Sequence, residues 1–340
     1  MDAFYVSVEL QRRPELRGLP VVVSGSGPRA VVTTASYEAR KFGVGSAIPA
    51  SRARRLCPDA IFIPPDFVAY RETSGRVMAL VRDHAERVEV VGLDEAYLDL
   101  SGMAAPRAAM RRLVMAIAEQ TGLTASVGIG PNKLVAKVAS DAEKPHGFVV
   151  LTRAEACARF AAARPGLVPG IGPKTAARLD ALGIRTLGAL ATADPSLLAE
   201  RFGARLGPEL QARARFEHDG AVTEERAVIS ESRETTFDED IADPAELQQI
   251  LTDLTVRLCG DLERHGRRGR TIGIKIRLDD FSTHTRSRTL PEAVNELDRI
   301  GPVARDLLRD FGAARPVRLL GVRVAGLEEA AAADQLALPV

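Results

Sequence analysis

Residues 126–147 read SVGIGPNKLVAKVASDAEKPHG. An apolar strand-like run passes through Gly130-Pro131-Asn132 and leaves as a helix that carries Lys133 and Lys137 and is closed by Lys144-Pro145. A change of period across a Gly/Pro/Asn turn marks a strand feeding a helix, so this stretch sets the chain among folds that alternate the two. Lysines on a helix ordinarily form a solvated face, and Lys133 and Lys137 are read that way. Lys144 differs, because it lies just beyond the helix beside a proline that fixes the turn and can reach an anionic group as a point charge.

Upstream, residues 88–100 read VEVVGLDEAYLDL, with Asp94 and Glu95 between two strand-like runs. An Asp-Glu pair at a strand junction is usually a solvated turn. Here the flanks are apolar and aromatic, and adjacent carboxylates on packed strands suit a hard divalent cation such as Mg²⁺. Residues 33–44 read TTASYEARKFGV, where Tyr37 and Arg40 follow Thr34 at a helix start. One turn apart, they share a face, and a hydroxyl beside a guanidinium fork matches a phosphate chain. The chain opens MDAFYVSVEL, a run that reads as a strand with no lead-in.

With 340 residues and 46% hydrophobic content, the chain is long enough for more than one core. Its three cysteines, Cys57, Cys157 and Cys259, have no C-x-x-C pairing, which argues against a disulfide frame or zinc site and for a reducing compartment, the cytoplasm. No signal peptide and no apolar run of about 18 residues appears, which argues against secretion and membrane spanning. The net charge of +1 says little, but residues 264–288 hold eight Lys and Arg against two Asp, a local balance of +6.

Residues 20–66 read as short strands and loops, 67–151 as alternating helix and strand, 152–220 as wholly helical. In residues 105–122, Met110, Leu113, Val114 and Ile117 keep helical spacing between Pro106 and Gly122. A polar linker over 221–228 precedes a strand-helix-strand-strand-helix-strand unit over 229–327, and 328–340 reads as a tail. Within that unit Ile272, Ile274, Ile276 and Leu278 alternate with Lys275 and Arg277, placing an apolar row on one sheet face and a basic row on the other. Lys275, Arg277, Arg286 and Arg288 suit sequence-independent contacts to backbone phosphates. Residues 167–179, LVPGIGPKTAARL, have the form of a helix-hairpin-helix turn. There Gly170, Ile171 and Gly172 expose N–H groups at a helix N-terminus, with Lys174 on the next turn, to bind a DNA phosphate.

Together MDAFYVSVE, TTASYEARKFGV, LDEAYLDLSG and SVGIGPNKLVAKVASDAEKPHG resemble the motifs of the Y-family translesion DNA polymerases, of the bacterial DNA polymerase IV class, in order and at the family's spacing. The resemblance implies an α+β right-hand polymerase: palm from 1–9 and 67–151, fingers 10–66, a helical thumb over 152–220 and a little finger over 229–327. It implies two-metal nucleotidyl transfer with two Mg²⁺ ions, Asp94 as the bridging ligand and Glu95 as the second carboxylate. Thr34, Tyr37, Arg40 and Lys144 fall where the family grips the triphosphate. Tyr5 falls on the steric gate that excludes a ribose 2′-hydroxyl. Primer-template DNA and deoxynucleoside triphosphates are the implied partners, without membrane attachment, for a monomer that lacks proofreading.

The family's first strand carries D-x-D, and here the match begins one residue late: Asp2 is the second aspartate, and the first, a metal ligand, would precede Met1. A start misassigned at an internal methionine is the expectation, with a frayed palm sheet as its accompaniment. The alternatives are a catalytically impaired scaffold of the same family and, more distantly, a helix-hairpin-helix DNA-binding factor without polymerase chemistry. Gly92 stands where many members have serine, a change the site should tolerate. Finally, Gln335, Leu336, Leu338 and Val340 resemble the short peptide by which bacterial polymerases dock on the sliding clamp.

Overall fold

The computed structural model describes residues 1–224 and 227–329. They form two compact units, the first of residues 1–26 and 31–224, the second of 27–30 and 227–329.

The first unit begins with a helix, α1 (Phe4–Arg12), where the sequence reads as a strand. The period was misleading because α1 lies between two cores. Phe4 and Val8 face one, with Tyr70 and Leu113, and Val6 and Leu10 face another, with Val21 and Ile63. Two apolar faces at i, i+4 spacing, offset by two residues, imitate strand alternation.

Next come β1 (Val21–Ser24), β2 (Val32–Ala35), α2 (Tyr37–Arg40), α3 (Ala50–Leu56) and β3 (Ile61–Ile63). The strands form one sheet in the order β2-β1-β3, with β1 antiparallel to β2 and parallel to β3. α2 falls where the sequence reads as a helix start, and α3 replaces what reads as loop. Ser36 starts α2 by accepting the Ala39 N–H at 3.3 Å, a cap that a few residues of periodicity could not reveal.

Residues 67–151 alternate as expected: α4 (Phe67–His84), β4 (Val88–Val90), β5 (Ala96–Leu98), α5 (Pro106–Thr121), β6 (Val127–Ile129), α6 (Lys133–Ala142) and β7 (Phe148–Val150). Pro106 opens α5, and Gly122, with φ +64°, closes it. Asn132 caps α6 by accepting the Val135 N–H at 3.0 Å. Gly128 is required by close packing, since a Cβ there would lie 2.0 Å from the Ala136 carbonyl oxygen, so β6 rides directly on α6. The four strands form two separate pairs among the described residues, β4 antiparallel to β5 and β6 parallel to β7.

Helices α7 (Arg153–Phe160), α8 (Pro173–Asp180), α9 (Leu187–Ala191), α10 (Pro195–Phe202) and α11 (Leu206–Ala214) bear out the all-helical reading. They share a core of Leu179, Leu187, Leu190, Leu198, Leu210 and Phe216 with Leu134 and Val138 of α6.

The second unit runs β8 (Ser230–Ile241), α12 (Pro244–Arg264), β9 (Arg267–Leu278), β10 (Thr283–Val294), α13 (Leu297–Phe311), β11 (Val317–Glu329), in the expected order of elements. Its sheet is antiparallel throughout, in the order β10-β9-β11-β8. Ile272, Ile274, Ile276 and Leu278 are buried against Leu251, Leu258 and Leu262 of α12 and Ile300 and Leu307 of α13. Each such side chain contributes about 1.5–3 kcal/mol by leaving water. Residues 328 and 329 belong to β11 rather than to a tail: Glu328 sits opposite Arg268 and pairs with Arg270 at 3.5 Å across the strands.

Candidate active site

Asp94 and Glu95 sit at the end of the β4–β5 hairpin, whose turn is closed by the Val91 and Gly92 N–H groups donating to the Glu95 carbonyl at 3.0 and 3.3 Å. A Cβ at Gly92 would meet nothing within 4 Å, so serine would fit there. Asp94 borders a cleft shared with Tyr5 from α1, Thr34 from β2, Tyr37 and Arg40 from α2, and Lys144 from beyond α6. Five candidate residues, separated by up to 139 positions from Tyr5 to Lys144, therefore converge with Asp94 on one surface. The Met1 nitrogen donates to the Asp94 carbonyl at 2.7 Å, and burial pushes that ammonium below its ordinary pKa.

Tyr37 carries the most informative atom of the cleft. Its hydroxyl is buried and has no hydrogen-bond partner among the described residues, a state that costs free energy unless something fills it. Burial, then the nearby Asp2 charge, pushes the phenol up. The Arg40 guanidinium lies 4.6 Å from the Tyr37 ring centre and is fixed by its Nε donating to the Ala35 carbonyl at 3.0 Å. Tyr5 is half-buried and stacks on Tyr70 at 4.5 Å between ring centres, with Phe67 edge-on at 6.0 Å. Tyr70 is itself locked by donating to Glu9 at 2.8 Å, so the Tyr5 ring rests on a rigid aromatic floor.

Lys133 and Lys137 do not form a solvated face. Lys133 Nζ pairs with Glu89 of β4 at 2.7 Å, and Lys137 forms an ion pair with Glu95. Lys137 also lies 3.4 Å from Asp141, whose carboxylate pairs with Lys144 at 2.7 Å. Burial pushes the Asp141 carboxyl up, but the Lys144 and Lys137 ammoniums outweigh it and leave it below the usual carboxylate value. These partners are 42 residues apart for Glu95 and Lys137, so no local pattern could pair them. Asp2 is fully engaged elsewhere: it accepts from Ser126 Oγ at 2.7 Å and from the His146 N–H at 3.0 Å.

Two adjacent carboxylates offer hard oxygen donors of the kind that hold a divalent cation whose remaining ligands are phosphate oxygens and water. Among the described residues no three His, Cys, Asp or Glu side chains gather as a metal cage.

At the hairpin of residues 167–172, Gly170 has φ +90° and Gly172 caps α8. Ile171 departs from the sequence reading. Its side chain is buried, and its N–H donates to the Val168 carbonyl at 3.1 Å. Lys174 is exposed on the first turn of α8. Beneath the hairpin, Arg213 of α11 donates to the Pro169 carbonyl at 2.9 Å and is braced by Glu209 at 2.8 Å.

In the second unit the four basic candidates divide between two faces. Lys275 and Arg277 alternate with the buried isoleucines and lie on the helix-free face. Arg286 and Arg288 stand opposite Ile274 and Ile272, on the helix side at the β10 edge. There Arg286 lies over the Phe311 ring at 5.4 Å, and Arg288 approaches Asp306 at 3.5 Å and Asp310 at 3.7 Å. Lys275 pairs with Glu234 of β8 at 2.8 Å. The local excess of +6 thus meets carboxylates from β8 and α13. The register adds a residue the sequence reading missed, Arg323 of β11, exposed and opposite Gly273 on the helix-free face.

No helix among the described residues is long and apolar enough to cross a membrane. The clamp-peptide residues Gln335, Leu336, Leu338 and Val340 lie outside the described residues.

Comparison with known proteins identifies the family. Residues 1–141 match the impB/mucB/samB family, and residues 229–338 match that family's C-terminal domain. A DNA polymerase IV of Methanoculleus marisnigri is 44% identical over 339 residues, covering 96% of this chain and 93% of its own. One from Alkalilimnicola ehrlichii is 45% identical over 336 residues, with 96% and 93% covered. Among solved structures, a Y-family DNA polymerase chimera of Dbh and Dpo4 has a TM-score of 0.85 at 28% identity, covering 95% of this chain and 96% of its own. An insertion ternary complex of Dbh DNA polymerase has a TM-score of 0.66 at 28% identity, with 96% of each chain covered. Such enzymes are nucleotidyltransferases that need a divalent metal. The chain belongs to the Y-family of DNA polymerases, in the DNA polymerase IV class, and is a DNA-directed DNA polymerase of translesion synthesis with the α+β right-hand fold.

Proposed function

We propose that this chain extends a DNA primer with deoxynucleoside triphosphates in the cleft bordered by Asp94, and that Asp94 and Glu95 are its metal-holding carboxylates. Two Mg²⁺ ions bound there would lower the pKa of the primer 3′-hydroxyl and neutralise charge on the triphosphate. Asp94, which borders the cleft, and Glu95, on the Lys137 side, would hold these ions. Tyr37 and Arg40 donate to the triphosphate, Lys144 adds a point charge, and Thr34 lines the cleft beside them. Tyr5, backed by Tyr70, excludes the 2′-hydroxyl of a ribonucleotide.

The observation that carries this reading is the Tyr37 hydroxyl, buried without a partner beside the Arg40 guanidinium. A phosphate oxygen in the cleft supplies what it lacks. The impaired-scaffold alternative is not supported over this reading, since the relatives of this chain are DNA polymerases IV.

The same reading assigns the palm to residues 1–9 and 67–151, with α1 running on to Arg12, the fingers to 10–66, the thumb to 152–220, the linker to 221–228 and the little finger to 229–327. Gly170, Gly172 and Lys174 grip duplex phosphates, and Lys275, Arg277 and Arg323 do so on the helix-free face of the second unit. Arg286 and Arg288 contribute at the β10 edge. Synthesis is of low fidelity without proofreading, by a monomer in the cytoplasm. That compartment suits three free cysteines. The C-terminal peptide docks on the sliding clamp.

The test is primer extension with Asp94→Asn and Glu95→Gln. Each should lower the rate at least about 100-fold while DNA affinity holds. Tyr37→Phe should raise KM for the incoming nucleotide. Near-normal extension by Asp94→Asn would overturn the assignment.

A further inference from the structure

Asp141 lies on the last turn of α6 and has no role in the reading above, yet its carboxylate stands between the two functional sides of the cleft. One oxygen, Oδ1, is 2.7 Å from Lys144 Nζ, and the other, Oδ2, is 3.4 Å from Lys137 Nζ. Lys137 in turn pairs with Glu95, and Lys144 borders the same cleft as Asp94, Tyr37 and Arg40.

We propose that Asp141 is a positioning residue for nucleotide incorporation, holding Lys144 toward the triphosphate and Lys137 on Glu95 from a single carboxylate. This rests on the proposed roles of Lys144 and Glu95. The physical case begins with the lysines, whose long flexible stems leave their heads undirected unless something fixes them. Lys144 lies past the end of α6. Asp141 is still within the helix, and the helix is immobilised. Leu134, Val135, Val138 and Ala139 are buried, and β6 presses on the backbone of α6 at Gly128. A short two-torsion side chain on that frame transmits its rigidity to two long ones.

The arrangement also balances charge. With the cleft empty, Asp141 satisfies Lys144, and an arriving triphosphate competes for that ammonium. Lys144 therefore approaches the phosphate from a defined place. Lys137 remains held by Glu95 and Asp141 together, which keeps it from following Lys144 toward the anion.

A partner that orients a functional group without touching the substrate is typically worth about 10- to 100-fold in activity. Asp141→Asn should therefore lower kcat/KM for the incoming nucleotide by about 10- to 100-fold, mainly through a higher KM. Asp141→Glu should recover much of the loss. The melting temperature and primer-template affinity should stay near the parent's, because a partly exposed ion pair on a helix adds little to stability. Combined with Lys144→Ala, Asp141→Asn should cost much less than the product of the separate effects.

Single-turnover incorporation by the full chain, at a series of nucleotide concentrations, supplies these readouts for the parent, Asp141→Asn, Asp141→Glu, Lys144→Ala and the double variant. If Lys144→Ala is impaired and Asp141→Asn behaves like the parent, the positioning role is wrong while the cleft assignment stands. If Lys144→Ala itself uses nucleotide normally, the cleft assignment fails first. Equal losses in melting temperature, DNA affinity and incorporation for both Asp141 variants would reduce the residue to a structural one and overturn the proposal.

Discussion

Glu89 on β4 and Lys133 at the start of α6 form a 2.7 Å ion pair whose side chains are only 16% and 18% exposed. The same carboxylate accepts the Thr223 N–H at 3.1 Å, tying the end of the first unit's chain to its central hairpin. Burial pushes the Glu89 carboxyl up, and Lys133 and Thr223 more than offset it, so the folded carboxyl ionises below its ordinary value.

Lys133→Met should therefore destabilise the first unit by about 1–3 kcal/mol at pH 7, the cost of leaving a charged, half-buried acceptor without its partner. The pH dependence follows from the depressed pKa. The stabilisation is fully present above the ordinary carboxylate value of 4.5 and is lost as pH falls through the lower folded value. Thermal melts should show the gap between parent and variant at neutral pH narrowing below about pH 4. A gap independent of pH would remove Glu89 as its source.

Replacing Tyr5 by alanine removes the ring that stacks at 4.5 Å on Tyr70 and that is proposed to exclude the ribose 2′-hydroxyl. The ratio of ribonucleotide to deoxynucleotide incorporation should rise by at least about tenfold, as a steric exclusion worth more than about 1.4 kcal/mol is lifted. Competition between the two nucleotide types measures it directly. An unchanged ratio would make Tyr5 a packing residue alone.

Periodicity reached far into the fold. The strand-helix-strand-strand-helix-strand order of the second unit and the capped α5 were legible because each element buries one face against one core. α1 was misread because it faces two cores, and a single period cannot describe two stripes. The cleft was legible as four motifs, each with its own residues. Its wiring was hidden, since Lys137 finds Glu95 and Lys275 finds Glu234 across 42 and 41 residues. The acidic partners of the basic run over 264–288 were hidden for the same reason, because acids on β8 and α13 meet it only in three dimensions.

The hairpin at residues 167–172 gives a prediction with two arms. Lys174→Ala should weaken duplex binding similarly on every sequence and reduce the slope of log affinity against log salt by about 1. Gly170→Ala forces a side chain into φ +90° and within 2.9 Å of the Arg213 guanidinium. It should weaken duplex binding by displacing the loop proposed to grip duplex phosphates. Affinity titrations at several salt concentrations decide both, and a parent-like Lys174→Ala would exclude this turn from the interface.

The thiols report on packing. Cys57 and Cys259 are buried, and burial pushes the Cys259 thiol up to about 11. A maleimide or disulfide reagent at pH 8 needs an accessible thiolate. Among the three cysteines it should label Cys157 first in the native protein, and all three after unfolding. Rapid native labelling of Cys259 would mean that α12 opens readily.

The order β10-β9-β11-β8 leaves two twelve-residue strands at the margins of the second unit's sheet. Long margins of this kind invite a neighbouring molecule to add its own strand, the first step toward insoluble aggregates. Both carry deterrents in their sequence. β8 reads SESRETTFDEDI, which sets like charges against an approaching copy, and β10 contains Pro291 and a register break between Thr289 and Val294. The sheet is thereby kept soluble at its rims, and substitutions that neutralise β8 or straighten β10 should first be felt as lost yield at high protein concentration rather than as lost polymerase chemistry.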